Sequence, residues 1–172
     1  MRVLGLNSAG FNTSSALVVD GEPVFAVEEE RLNREKRTRR FPTHGIQEAL
    51  KAANLGIEGI DIVAVSWNPA INLEAFNVSQ SQRARYLGEI LYSVPSHLMS
   101  LKSDNAAALS RQTIEFEDGN KLDIVYVTHH LAHAASFFFS PFEEAAILTV
   151  DAFGEKHSVM FCRGRGNKIE TL

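Results

Sequence analysis

The N-terminal part of the chain alternates strand-like and turn-like segments, and this pattern limits the folds that are open to it. Strand-like sequence covers residues 2–7 and 15–20, and a third run begins at Val24. The connecting residues, 8–14 and 21–23, are short and rich in glycine, proline and small polar side chains. Three consecutive strands joined by tight turns predict an antiparallel meander.

The rest of the chain alternates between helical and strand-like patterns. We predict a helix over residues 43–54, capped by Thr43 and ended by Gly56, because Ile46, Leu50 and Ala53 share one face. The further predicted elements are a strand at 61–67, a helical region at 79–109, strands at 113–116 and 122–127, a histidine-containing helix after Thr128, strands at 147–150 and 158–161, and a turn at 164–167. This order predicts an α/β fold with a mixed sheet and flanking helices.

The composition indicates which classes of partner the protein can bind and in which cellular compartment it functions. The 172 residues carry a net charge of -4, which argues against a nucleic-acid surface. The single cysteine, Cys162, cannot form an internal disulfide and fits a reducing compartment. No apolar run approaches the ~20 residues that span a bilayer, and the start shows no signal-peptide pattern. We therefore expect a cytoplasmic protein that binds neither nucleic acid nor membrane.

A basic stretch follows the third strand. Its six cations lie within ten residues: Arg31, Arg34, Lys36, Arg37, Arg39 and Arg40. A nucleic-acid patch is one interpretation. The adjacent acidic residues 28–30 and the lack of interleaved aromatic side chains favour a solvated loop or a phosphate-binding edge instead.

Three histidines crowd into the segment that follows residue 128. If this segment is helical, His129 and His133 lie one turn apart and can converge on one metal ion. Asp151, at the end of the apolar run 145–150, is the candidate third ligand, and two histidines with one carboxylate suit Fe(II) or a similar divalent ion. Two alternatives stay open: a helix N-terminus capped by Thr128 with solvated imidazoles, or a pairing of His130 with His133.

Two turns are candidate anion sites. In the turn at residues 8–15, Gly10 allows close backbone approach, and Asn12, Thr13 and Ser14 supply polar groups. In the turn at 151–155, Gly154 follows the acidic Asp151. Each turn taken alone is also compatible with an ordinary hairpin. Related hairpins on either side of a nucleotide are typical of actin-like phosphotransferases, which is a fold-level analogy.

Several segments resemble the O-carbamoyltransferases of the nodulation and antibiotic-biosynthesis (NodU/CmcH) family. They are the first 30 residues with the run Ala-Val-Glu-Glu-Glu-Arg at 26–31, the histidine segment 129–136, the strand and acid at 147–151, and Gly-Arg-Gly-Asn-Lys-Ile at 164–169. The resemblance implies an actin-like ATPase (ribonuclease H-like) lobe, related to the tRNA threonylcarbamoyladenosine synthases.

The resemblance also implies chemistry. Enzymes of this family use carbamoyl phosphate and ATP, with Mg, to form a carbamoyl-adenylate, and then transfer the carbamoyl group to a small-molecule hydroxyl. The resemblance assigns metal ligation to His129, His133 and Asp151, and it implies a further acidic ligand beyond Leu172. His130 becomes a candidate for hydrogen bonding to phosphate or for proton transfer. A homodimer is the assembly to consider.

The sequence departs from the family in both turns. In the first turn, Phe11 and Asn12 occupy positions where a His-Asp or similar pair is common in the family. In the second turn, Ala152 occupies the position after the acid, where a glycine is usual, and an alanine would resist a positive φ there. A catalytically degenerate nucleotide-binding module is therefore one alternative. A threonylcarbamoyladenosine synthase-like enzyme is another, although Ala132 and the negative net charge oppose it.

The last strands repeat the strand-turn-strand pattern of the N-terminus. We therefore expect residues 1–172 to form the N-terminal lobe of an actin-like domain, with a second lobe starting near residue 145, in a longer protein. The isolated chain is expected to bind metal weakly and to show no turnover.

Overall fold

The chain folds into two compact units in this computed structural model, which describes residues 1–8, 12–68, 109–152, 154, 155 and 157–172. The first unit comprises Met1–Trp67 and Ser110–Tyr126. The second comprises Asn68–Leu109 and Val127–Leu172. The helical region predicted at 79–109 lies outside the described residues, except that Leu109 begins a strand.

A six-stranded mixed sheet dominates the first unit and confirms the predicted α/β class. Its strands stand in the order β3-β2-β1-β4-β6-β5. Their bounds are β1 Arg2–Asn7, β2 Ser14–Val19, β3 Glu22–Glu28, β4 Ile62–Val65, β5 Leu109–Glu115 and β6 Lys121–Val127. The strands β1, β2 and β3 form the predicted antiparallel meander, whereas β1 pairs parallel with β4 and β4 pairs parallel with β6.

Alternation along β1 builds the core of this unit. Leu4 and Leu6 point to the same face and are buried together with Leu17 of β2 and Val63 of β4. Because side chains alternate between faces, a slip of one residue would replace these leucines by Val3, Gly5 or Asn7. The hydrophobic pattern therefore favours the observed register.

Helix α2, Thr43–Ala52, packs on the sheet through the apolar face predicted from the sequence. Ile46, Leu50 and Ala53 all contact the core cluster. The predicted ends were wrong. Pro42 occupies the N-cap position and makes no side-chain capping bond, and Thr43 lies inside the helix. The helix ends before Asn54, which adopts a left-handed φ of 53°, and not at Gly56.

A buried carboxylate takes over the missing cap of α2. Glu29 begins α1, Glu29–Asn33, and its side chain is only 1% exposed. Its oxygens accept hydrogen bonds from the Gly45 amide at 2.9 Å and the His44 amide at 3.4 Å, and one oxygen lies 2.5 Å from His44 Nδ1. Burial raises the pKa of Glu29, but the bonds from His44 and Gly45 outweigh it and hold the pKa below its ordinary value.

The basic stretch, which begins at Arg31 within α1 and ends at Arg40 before α2, is solvent-exposed at each of its six cations. Arg31 lies near Glu28 and Glu30, at 3.8 and 3.9 Å, and Arg40 pairs with Glu35 at 2.9 Å. This exposure agrees with the prediction of a solvated loop.

The second unit contains a three-stranded antiparallel sheet in the order β7-β8-β9. The strands are β7 Glu144–Val150, β8 Val159–Arg165 and β9 Lys168–Thr171. Among the described residues of this unit, a helix, α3, covers His129–Ala134 and is continued by a 3-10 turn at Ala135–Phe139. Gly164 belongs to β8, so the predicted turn at 164–167 was too wide, and Gly166 makes it with a φ of 53°. No helix within the described residues is long and apolar enough to cross a bilayer.

Replacement of Gly45 by alanine tests the close packing of α2 on strands β2 and β3. A Cβ at this position would collide with Ser15 Oγ and would lie 3.3 Å from Val27 Cγ1. We expect Gly45→Ala to lower the free energy of unfolding by about 1–3 kcal/mol in urea titrations. At an unhindered helical glycine, the same change would raise the free energy of unfolding by about 1 kcal/mol. The sign of the measured change therefore distinguishes close packing from open space. Gln47→Ala, at an exposed position of α2, is the control and should change little.

The Glu29 carboxylate should make stability depend on pH. Because its pKa is lowered in the folded chain, its contribution is complete above the ordinary glutamate pKa and is lost as pH falls through the folded value. We expect Glu29→Gln to cost about 1–3 kcal/mol at pH 7, and the gap to the wild type to shrink as pH falls below about 4. Glu48→Gln, at a side chain that is 46% exposed, should leave stability within about 0.5 kcal/mol at either pH. If the difference in free energy of unfolding between the wild type and Glu29→Gln stayed constant with pH, it would contradict the lowered pKa of Glu29.

Candidate metal centre

The predicted histidine helix forms, and it carries two imidazoles on one face. Strand β6 ends at Val127, and α3 begins at His129. His129 and His133 lie one turn apart, with ring centroids 4.5 Å apart and planes inclined by 79°. Thr128 occupies the N-cap position, but its side chain makes no capping hydrogen bond, so the predicted cap was wrong in that respect.

Asp151 completes a cluster of three potential ligand atoms. It follows the last residue of β7, where its amide donates to the Ser158 carbonyl at 2.9 Å. Its Oδ2 lies 2.7 Å from His129 Nε2 and 3.2 Å from His133 Nε2, and the two Nε2 atoms lie 3.1 Å apart. Ligands about 2.1 Å from one ion and at right angles to each other lie about 3.0 Å apart, so one face of an octahedron matches this triangle.

The electrostatics of the cluster favour an ionised carboxylate. The hydrogen bond from His129 and then the bond from the Ala152 amide lower the pKa of Asp151 to about 2. Burial opposes them, and a weaker contribution from the bond of His133 adds to the lowering. Asp151 therefore stays a carboxylate throughout the neutral range. It offers a negative oxygen beside two imidazoles, which is a donor set that suits a divalent cation.

Ala152 orients the Asp151 carboxylate. Its amide donates to Oδ1 at 2.6 Å, while Oδ2 faces the two histidines. The concern that alanine would resist a positive φ does not apply, because Ala152 is not among the residues with positive φ. The departure from the family's glycine is therefore tolerated by the backbone in this turn.

His130 is buried, at 4% exposure, and both of its ring nitrogens have protein partners. Nδ1 lies 2.8 Å from Thr149 Oγ1, and Nε2 lies 2.7 Å from the carbonyl of His157, to which it donates. These bonds join α3 to β7 and to the loop between β7 and β8. A catalytic role for His130 stays a prediction, and the described contacts are those of a structural histidine.

The loop between β7 and β8 contains a residue that sequence reasoning missed as a functional group. Both oxygens of Glu155 lie 3.0 Å from the amide nitrogen of His129, and Oε1 also accepts from the Asn68 amide at 2.7 Å. This carboxylate, and not a bound anion, therefore receives the first amide of α3. The only sequence signal was an acid four residues after Asp151, beside a glycine.

Gly154 lies against the buried histidine. A Cβ at this position would lie 2.7 Å from His130 Cδ2 and 2.8 Å from the His157 carbonyl oxygen. Close packing therefore explains the glycine without a phosphate, and its predicted role in binding one stays a prediction.

The predicted residues of the first turn belong to the first unit. Gly10 and Phe11 lie outside the described residues. Asn12 has a φ of 58° and a buried Oδ1 for which the described part of the chain offers no hydrogen-bond partner. Thr13 is buried, with its hydroxyl donating to the Arg40 carbonyl at 2.7 Å, and Ser14 starts β2. Their role in binding a cofactor stays a prediction.

Comparisons with known proteins agree with the resemblance seen in the sequence. The chain is 32% identical over 181 aligned residues to the uncharacterized protein sll1178 of Synechocystis sp., covering 97% of this chain and 28% of that protein. It is 35% identical over 166 residues to the nodulation protein NolNO of Sinorhizobium fredii, covering 92% of this chain and 22% of that protein. The chain thus spans about a quarter of the length of these relatives.

A solved structure, YeaZ from Pseudomonas aeruginosa, aligns over 99% of this chain and 66% of its own length. The TM-score is 0.40 and the sequence identity is 12%, a likeness too weak to assign the fold, so the actin-like assignment stays a prediction.

The family model described as the carbamoyltransferase N-terminus matches residues 2–171. Because this match covers nearly the whole chain, the chain belongs to the carbamoyltransferase N-terminal family.

Proposed function

We propose that the protein containing this chain is an ATP- and metal-dependent O-carbamoyltransferase, with its metal held by His129, His133 and Asp151. The observation that carries the proposal is the convergence of these three side chains, whose ligand atoms all lie within 4.8 Å of one another. Membership of the carbamoyltransferase N-terminal family supports the reaction class.

The donor set fits a divalent transition metal. Two imidazole nitrogens and one carboxylate oxygen on one face leave the remaining positions for other ligands, as in non-haem Fe(II) sites. When bound, the ion would neutralise and align phosphate groups of polyanionic substrates. We therefore propose Fe(II) or another divalent ion as the cofactor and ATP, with Mg, as co-substrate.

The chain's own residues would prepare the site before substrate arrives. The Ala152 amide turns Asp151 so that one oxygen faces the histidines, and the bonds of His130 hold α3 against β7. A site held in this way loses little conformational freedom when an ion or a phosphate group binds, and such positioning contributes much to phosphoryl and nucleotidyl transfer. The remaining partners in the proposal are carbamoyl phosphate and a small-molecule hydroxyl, in the cytoplasm.

Asn12 supports a ligand near the first turn. Its buried Oδ1 has no hydrogen-bond partner within the described ranges, and a buried polar atom without a partner costs free energy. Since an amide can present either its oxygen or its NH₂ group, Asn12 could bond to a phosphate or to a nucleotide. This residue would therefore contribute binding and not proton transfer.

Metal binding by the full-length protein tests the ligand assignment. We expect the full-length protein to bind one Co(II) ion tightly, with Co(II) used as an air-stable probe for Fe(II) in isothermal titration, and residues 1–172 alone to bind it weakly. His129→Ala, His133→Ala and Asp151→Asn should each weaken binding by more than about 100-fold, because even outer-shell partners are worth about 10–100-fold.

His157→Ala is the matched control for the ligand variants. This histidine is exposed and lies in the same unit, and its one bond among the described residues is that of its backbone carbonyl with His130. Binding should match the wild type. If all four variants bound Co(II) with the same affinity as the wild type, the proposed metal site would be ruled out.

Carbamoyl transfer by the full-length protein tests the reaction. With carbamoyl phosphate, ATP and a set of small hydroxyl compounds, we expect carbamoyl-phosphate-dependent AMP formation and a labelled carbamate product. Asp151→Asn should lower kcat by more than about 100-fold, since a bound metal contributes several kcal/mol to charge stabilisation. Residues 1–172 alone should show no transfer. Metal binding without AMP formation would favour the degenerate nucleotide-binding module instead.

A further inference from the structure

Glu155 links two of the three proposed ligands through one short loop. Asp151 and Glu155 both lie between β7 and β8, four residues apart. Glu155 receives the amide of His129 on both of its oxygens, each at 3.0 Å. The loop therefore provides one proposed ligand, Asp151. Through Glu155, it also fixes the backbone of a second proposed ligand, His129.

The ordinary means of capping this helix is present but not used. Thr128 stands at the N-cap, where a threonine hydroxyl commonly accepts an amide of the first turn, yet it makes no such bond. The first turn of α3 contains no acidic residue either. A local cap would stabilise the helix alone, whereas a carboxylate from another loop also sets where the helix lies relative to that loop.

The position of His129 relative to Asp151 matters because metal sites tolerate little displacement. Ligand distances in a working site hold to about 0.2 Å. A helix of six residues cannot keep its place by itself, since isolated helices shorter than about 12–15 residues are marginal in water. The bond to Glu155 acts at the residue that bears the ligand, which is where displacement would be most damaging.

We propose that Glu155 is a positioning residue of the metal centre, which holds His129 in register with Asp151 and so sets metal affinity and ligand geometry. This inference rests on the proposed function, because it requires that the cluster binds metal. Glu155 does not itself ligate the ion, since its oxygens are directed to the amides of His129 and Asn68.

The test uses the full-length protein and Co(II) as the probe. Glu155→Ala removes the bond, and Glu155→Gln keeps the shape and one acceptor oxygen without the charge. Glu143→Gln is the matched control, because Glu143 is an exposed carboxylate of the same unit whose backbone alone makes a described bond. Affinity, the visible absorption band of bound Co(II) and the unfolding temperature without metal are measured for each protein.

We expect Glu155→Ala to weaken Co(II) binding by about 10–100-fold and to change the Co(II) band, with Glu155→Gln intermediate and Glu143→Gln unchanged. If Glu155→Ala does not fold, the affinity and band of Glu155→Gln decide. A lower unfolding temperature with wild-type affinity and an unchanged band would overturn the inference, because Glu155 would then be a structural cap only.

The same experiment separates this inference from the proposed function. Loss of binding in His129→Ala together with wild-type binding in Glu155→Ala would keep the metal site and reject the positioning role. A wild-type protein that binds no Co(II) would reject both.

Discussion

The attachment of helix α3 to the β7-β8 hairpin is the constraint on which the candidate site depends. A helix of six residues has too few internal hydrogen bonds to define its own position. Its place is set instead by the bonds of His130 with Thr149 and His157 and by the bond that the His129 amide donates to Glu155. The ligand His129 and its neighbour His130 are thus both attached to the hairpin, and the geometry of the cluster follows from it. Gly154 permits this arrangement, because any side chain there would meet the His130 ring.

Much of the fold could be predicted from periodicity. Three strand-like runs joined by tight turns predicted the meander, and the spacing of Ile46, Leu50 and Ala53 predicted the buried face of α2. The helix ends could not be predicted in the same way. Thr43 is a good cap by residue type, but the buried Glu29, fourteen residues earlier, meets the amides of the first turn. Tertiary contacts of this kind override local preference and leave no local pattern in a single sequence.

The candidate site, like the fold, could be predicted from local sequence patterns only in part. The spacing of His129 and His133, and an acid directly after an apolar run, indicated the convergence of three ligand atoms that the structure shows. That run was expected to be a buried strand, but Leu148 and Val150 of β7 are exposed. The role of Glu155 was not predictable, because a carboxylate that accepts backbone amides has no fixed spacing from the helix that it caps. His130 illustrates the opposite difficulty. Its place in the motif made it a candidate for chemistry, and only its burial between Thr149 and His157 distinguishes a structural histidine from a reactive one.

The short distances within the cluster have a consequence for how an ion enters. His129 Nε2 and His133 Nε2 lie 3.1 Å apart, and both approach the same oxygen of Asp151. Three lone pairs cannot face one another at this range, so hydrogen must lie among them whenever no cation does. Loading is then an exchange in which the incoming ion replaces these hydrogens, and a neutral imidazole makes room for it by carrying its hydrogen on Nδ1 instead of Nε2. The ion would accordingly select one tautomer of each histidine as it enters.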